Sequence, residues 1–261
     1  MKKHTTLLVL VLAFAAGGCK HVSPEDAKRA QDSTAIAVEH MNGGRYREAL
    51  AELLKAEQLN PEDPEIQYAL GLTYLYGFKR YQDSRQHLER ALEMRPEFSE
   101  AENVYGVTLL EEGRYQEAIP HFERAMSNLL YVTPQYAEQN LGWALHKIGR
   151  SEEGFAHLQH AVQEAPELCG AYYQLGFGYG ELDRLDQSIK WFEAFRQKCD
   201  DTALSRFVPR AQLAEVQYRL GMAYLKVGDS ERARGSLQDC VTRFGSLPIA
   251  QECQKSLAVV P

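Results

Sequence analysis

Two histidines on one predicted helical face are the first place to look for chemistry. His157 and His160, three residues apart in GFAHLQHAVQEAP, could hold a metal through their imidazoles. No carboxylate or cysteine joins them at ligand spacing, and a solvated helix face is the simpler reading. GFGYG, 176–180, has the glycine density of a phosphate loop, but no strand pattern precedes it and it falls inside a helical pattern. Close packing of helices accounts for its glycines. G-x-x-x-x-G-K-[ST], H-E-x-x-H and G-x-S-x-G are all absent. Acidic clusters such as PEDPE, 61–65, sit at turns and helix starts, where carboxylates favour the helix dipole. The expectation is a protein that is not an enzyme, with no cofactor, no metal and no small-molecule substrate.

Thiols are the other reactive groups. Cys169, Cys199, Cys240 and Cys253 form an even set without a C-x-x-C pair, which suits disulfides in an exported chain better than a metal or thioredoxin-type site. Four buried thiols are the alternative. Cys19 stands apart. It follows a basic MKKHTT and an apolar run of ten residues, Leu7 to Ala16, too short to span a bilayer. AGGC, 16–19, resembles a lipoprotein processing site, with Ala16 where leucine is usual. The expected organisation is a signal peptide over 1–18, a lipidated tether over 19–29 anchored through Cys19, and a folded remainder. Lys20, next to the lipidated cysteine, resembles an outer-membrane address rather than an inner-membrane retention signal. The chain has 261 residues and a formal charge of −7, which argues against a nucleic-acid partner.

The elements that must position these residues repeat. Aligned on Leu-Gly, the chain shows Ala37, Gly71, Gly106, Gly142, Gly176 and Gly221 in equivalent places, each followed by a second block such as GRYREALAELLKAEQLNP or GRYQEAIPHFERA. This pattern is identified as the tetratricopeptide repeat, a helix–turn–helix of about 34 residues. Six units are read at 30–63, 64–98, 99–134, 135–168, 169–202 and 214–247, with a capping helix over 248–261 opened by Pro248. Small residues (Ala49, Ala56, Ala118, Ala125) let backbones approach, while Leu53, Tyr74 and Phe122 fill the spaces. Gly44, Gly113, Gly149 and Gly228 end first helices, and Pro61, Pro96 and Pro166 stop second helices. Stacked units imply an all-α, right-handed superhelix. Antiparallel helices would bring Cys169 to Cys199, and Cys240 to Cys253 in the same way.

In such an array the first helix of each unit lines the concave face. One register gives Val38, Leu72, Val107, Trp143, Phe177 and Met222, all apolar; another gives Thr34, Tyr68, Asn103, Gln139, Tyr173 and Tyr218. An apolar stripe edged by tyrosines and amides suits a protein segment with apolar anchors. Part of that stripe is expected to pack against neighbouring helices.

The rhythm breaks at NLLYVTPQYAEQNLGWAL, 128–145, where four extra residues separate Ala125 from a proline. The extra length should either prolong the preceding helix or form a short overhang, with Pro134 restarting the next. Leu130, Tyr131, Thr133, Pro134, Ala137, Asn140 and Gly142 give an L-Y-x-T-P-x-x-A-x-x-N-x-G pattern. That pattern, within six repeats behind a lipobox, resembles the tetratricopeptide lipoproteins of type IV pilus biogenesis, the secretin pilotins, and among them the Tgl-like proteins of social-gliding bacteria. The resemblance covers nearly the whole mature chain and weakens toward the C-terminus, where residues 203–213 separate the last two units. It implies a lipid-anchored protein on the periplasmic face of the outer membrane that binds protomers of the pilus secretin and promotes their assembly. A generic periplasmic scaffold with the same groove is the alternative reading.

Overall fold

The computed structural model describes residues 22–261. It contains thirteen α-helices and no strand among those residues. The helices come as antiparallel pairs: α1 (Pro24–Asn42) with α2 (Tyr46–Leu59), α3 (Pro64–Leu72) with α4 (Tyr81–Met94), and α5 (Ser99–Glu111) with α6 (Tyr115–Ser127). Then follow α7 (Pro134–Lys147) with α8 (Ser151–Glu164), α9 (Cys169–Glu181) with α10 (Leu185–Phe195), and α11 (Arg210–Lys226) with α12 (Ser230–Phe244). A single helix, α13 (Ile249–Leu257), closes the stack. First helices also run beside the first helix of the next pair, α1 on α3, α3 on α5, α5 on α7 and α7 on α9, and so form one layer of the superhelix.

The pairs are close because one helix of each has almost nothing at the crossing. A Cβ on Gly106 would lie 2.5 Å from the Phe122 ring, and one on Gly142 would lie 2.7 Å from the carbonyl oxygen of Gly154. The second contact is backbone on backbone, so nothing there can rotate away. Ala49, Ala56, Ala118 and Ala125 are wholly buried at equivalent crossings, with Leu53 and Phe122 filling the layer between them.

Turns within the pairs need a left-handed residue after the first helix, and Gly44, Gly113, Gly149 and Gly228 supply it with φ of 70° to 87°. The remaining two turns use Lys79 (φ 52°) and Asp183 (φ 55°), where an L side chain is strained. In the second pair the extra residue of GFKRY is absorbed by a π-helical turn, Thr73–Phe78, that widens the end of the first helix.

Two boundaries differ from the sequence reading, and a third decides between its two alternatives. Residues 24–29, expected as tether, are already helix. Ser23 caps α1 by accepting from the Asp26 amide, Pro24 stands at the first helical position, and Glu25 and Asp26 favour the positive end of the dipole. Before Pro134, α6 is not prolonged: it ends at Ser127, and 128–133 form the overhang. Finally, α11 starts at Arg210, four residues before the expected unit at 214. The irregular stretch between α10 and α11 is a π-turn (Arg196–Asp200) and a 3-10 turn (Ala203–Phe207). The expected signal peptide, with Cys19 and Lys20, lies outside the described residues.

Two disulfides brace the C-terminal third. Cys169, at the start of α9, is joined to Cys199, with Cα atoms 5.8 Å apart; Cys240 on α12 is joined to Cys253 on α13 at 6.2 Å. Both spacings are ordinary for a disulfide.

Candidate protein-binding groove

The first-helix layer carries its large side chains half in and half out of solvent. Leu72, Val107, Trp143, Phe177 and Met222 are each partly buried, as are Tyr68, Tyr173 and Tyr218, while Val38 on α1 is 44% exposed. A residue whose face packs on a neighbouring helix while its edge meets water is suited to binding: its position is fixed and some apolar area is still available.

The lane is richest from α7 to α11. The Trp143 and Phe177 rings meet edge to face at 5.9 Å, and Tyr173 leans on Phe177 at the same separation. Two cations sit on these rings: Lys147 Nζ lies 5.2 Å from the Trp143 ring, and the Arg219 guanidinium lies 4.2 Å from the Phe177 ring. Arg219 also donates to Glu215 Oε1 at 2.5 Å. Phe177, Tyr218 and Met222 share the wall of a cavity of about 250 Å³ between α9, α10 and α11, with Arg219 and Lys226 at its sides. Burial pushes the Tyr173 phenol up from its ordinary pKa, and it stays a neutral hydrogen-bonding group at physiological pH.

Toward the N-terminus the lane is more committed to packing. Tyr68 stacks obliquely on the buried Phe98 at 5.0 Å, and Leu72 and Val107 rest on the same small core. The amides divide similarly. Asn140 donates to Asn103 across the α5–α7 seam at 3.0 Å. Thr34 turns back onto the carbonyl of Ala30 at 2.8 Å.

The overhang enters the lane through one residue. Tyr131 is 8% exposed and packs in the core shared by α5, α6 and α7. Burial raises the pKa of its hydroxyl, with Thr133 and Asn103 acting in the opposite direction. The residues of the L-Y-x-T-P-x-x-A-x-x-N-x-G pattern therefore divide. Tyr131, Thr133, Asn140 and the wholly buried Ala137 are structural, Pro134 starts α7, and Leu130 is 86% exposed. Around it Leu129 and Val132 are 97% and 82% exposed.

Three family models match the sequence, one described as TPR repeat over 39–75 and two described as tetratricopeptide repeat over 73–128 and 215–246. The chain is a tetratricopeptide-repeat protein. No curated protein sequence matches it. Among solved structures it superposes on PilW, described as a widely conserved type IV pilus biogenesis factor. The TM-score is 0.76 at 21% identity, over 86% of this chain and 98% of that one. Pseudomonas aeruginosa PilF gives 0.70 at 14% identity over 88% and 99%. YrrB, described as a TPR protein with an unusual peptide-binding site, gives 0.53 at 20% identity over 78% and 97%. At these identities the likeness establishes a shared fold.

Other residues of this tetratricopeptide-repeat protein acquire roles that spacing did not reveal. His157 and His160 share a carboxylate after all: Glu138, from α7, accepts from His160 Nδ1 at 2.8 Å and lies 3.4 Å from His157 Nδ1. Burial opposes ionisation of Glu138, but the two imidazoles hold its pKa below the usual carboxylate range; the same hydrogen bond raises His160. No cluster among the described residues has the makings of a metal site. GFGYG lies within α9, where Cβ atoms on Gly176 and Gly178 would strike the Phe192 and Phe155 rings. No helix among the described residues is long and apolar enough to cross a membrane.

Proposed function

We propose that this protein is a pilotin: an outer-membrane lipoprotein, anchored through Cys19, that binds protomers of a type IV pilus secretin. By this reading it promotes their localisation and multimer assembly for pilus biogenesis and pilus-dependent motility, and it catalyses no reaction. The observation that carries the binding role is the half-exposed aromatic lane of Trp143, Phe177, Tyr173 and Tyr218, fixed from behind by helix packing. What directs the reading to the pilus is the motif around Tyr131 and Pro134, together with a fold shared along nearly its whole length with PilW. The lipobox supplies the anchor, and three acyl chains on one cysteine hold far more firmly than one.

The decisive experiment compares secretin multimers in outer membranes of a strain lacking this gene with those of its parent, by detergent-resistant gel migration. Loss of multimers with monomer retained is the expected result. Unchanged multimers would end the pilotin reading and leave a lipid-anchored scaffold with another client. In the complemented strain, Cys19→Ala should leave the protein soluble or mislocalised, and normal outer-membrane fractionation of that variant would remove the anchor from the proposal.

A further inference from the structure

The overhang between α6 and α7 exposes more apolar surface than any other short stretch among the described residues. Leu129, Leu130 and Val132 are 82% to 97% exposed, whereas no other large apolar side chain there exceeds 73%. The loop is nevertheless held in one shape. Asn128 Nδ2 donates to the Glu97 carbonyl at 3.2 Å and to Ser99 Oγ at 3.0 Å, and its Oδ1 accepts from the Leu130 amide at 3.0 Å. The Tyr131 amide donates to the Asn128 carbonyl at 3.0 Å, while its ring is sunk in the core. Fixed apolar side chains pointing at water are organised for a partner before it arrives.

Resting on the function proposed above, we infer that this loop is a second contact for the secretin protomer. It takes an apolar segment flanked by Lys or Arg, beside the segment held in the lane. Charge selects this occupant. No charged residue occurs from 127 to 137. Around the loop stand Glu97, whose carbonyl Asn128 grips, and Glu100, whose charge acts on Tyr131, while Glu138, beyond Pro134, is engaged by His157 and His160. The adjacent cation, Arg124, is already engaged by both oxygens of Glu102, at 2.7 and 3.1 Å. An apolar centre in an acidic surround complements a segment with basic flanks. A lipid surface would call for Lys and Arg around the apolar residues instead. A second copy would bring the same acidic surround against itself, and three side chains fall well short of the ~800 Å² per partner of a standard interface. Continuity with the lane is direct, because Tyr131 packs in the core on which Val107 of the lane rests.

The test uses the full lipidated chain in cells that make the secretin, with benzoylphenylalanine in place of Leu130 in one strain and in place of Trp143 in another. After irradiation, adducts are probed for the secretin and for this protein. Secretin adducts from both positions are expected. A secretin adduct from 143 but not from 130 would overturn the loop contact and leave the proposed function standing. Absence of a secretin adduct from either position would remove both, and a self-adduct from 130 would replace the secretin with a second copy. A matching variant, Leu129→Ser with Leu130→Ser and Val132→Ser, should lower secretin multimers at least tenfold at unchanged protein level. Wild-type multimers in that variant would likewise overturn the inference.

Discussion

The repeat is interrupted twice, and the two interruptions are built oppositely. At 128–133 the chain leaves α6, buries one tyrosine and turns three aliphatic side chains outward. At 196–209 it leaves α10 through a π-turn that buries a charge: Asp200 accepts a bidentate pair from Arg243 on α12 and a bond from Gln217 on α11 at 3.2 Å. Here the one exposed aromatic, Phe207, has the Arg206 guanidinium 4.7 Å above its ring. The first interruption leaves apolar surface facing solvent. The second seals a joint where the last pair is spaced away from its neighbour, and the Cys169–Cys199 bond clamps the same joint. An insertion in a repeat array is thus not one kind of object: where its anchoring side chains point decides whether it closes a joint or leaves apolar surface exposed.

If that contrast is right, stability should be sensitive at the second interruption and tolerant at the tip of the first. The largest effect is expected from Cys169→Ser with Cys199→Ser. Opening a loop of 30 residues should cost about 3–4 kcal/mol on the chain-entropy model, read as the denaturation midpoint of the C-terminal pairs. A midpoint unchanged from wild type would mean that packing alone holds the joint. Next comes a pair of single changes. Asp200→Asn removes the buried one of the two carboxylates that Arg243 engages, leaving Asp239, and should cost about 2 kcal/mol, and Tyr131→Ala should cost a similar ~2 kcal/mol through the cavity it leaves. In contrast, Leu129→Ser should change stability by less than about 0.5 kcal/mol. Equal losses at 129 and 131 in urea titrations would dissolve the distinction between anchor and tip.

Smaller effects refine the picture of the repeats themselves. Lys79→Gly and Asp183→Gly should each stabilise by about 0.5–1 kcal/mol, by relieving a left-handed L residue that four sister turns avoid. A loss at either site, seen by calorimetry, would show that the side chain does more than occupy the turn. The smallest effect is pH-dependent. Glu138 has a depressed pKa, so its contribution is present above the ordinary carboxylate range and fades as pH falls through its folded value. His160 has a raised pKa, so its contribution is full below about 6.5 and fades as pH rises through its folded value. The pair therefore contributes most between those ranges, and His160 is 57% exposed, which keeps it below about 1 kcal/mol. Glu138→Gln should destabilise more near pH 5.5 than near pH 8; the reverse order in a pH series of melting curves would refute the pairing.

Much of the architecture was legible before any coordinates. Small residues at a fixed register, four glycines at the same point of the turn and prolines after the second helices are local requirements, and each shows in the residue type itself. The register of the lane was legible too, since Val38 through Met222 follow from aligning the repeats on Leu-Gly. Charge partners were not. Glu138 is 19 residues from His157, and Asp200 is 43 from Arg243, so no spacing rule could join them. The loop at 128–133 lay between the two cases. An uncharged run from 127 to 137, in a chain 25% charged, was visible as a departure from the rest of the chain. Which of its apolar residues anchors and which presents was not visible.

By itself, then, the sequence determined the repeat, the number of helical pairs, the lane and the places where the rhythm fails, because helix period, backbone approach and left-handed turns depend on neighbours a few residues apart. Only the tertiary structure decided that Tyr131 is buried while Leu129, Leu130 and Val132 are not, and that the second interruption closes over Asp200. Burial is settled by which distant helices arrive at a point in space. Four large uncharged residues, side by side in the chain, were sorted by α5, α6 and α7 into one that fills a core and three left facing water.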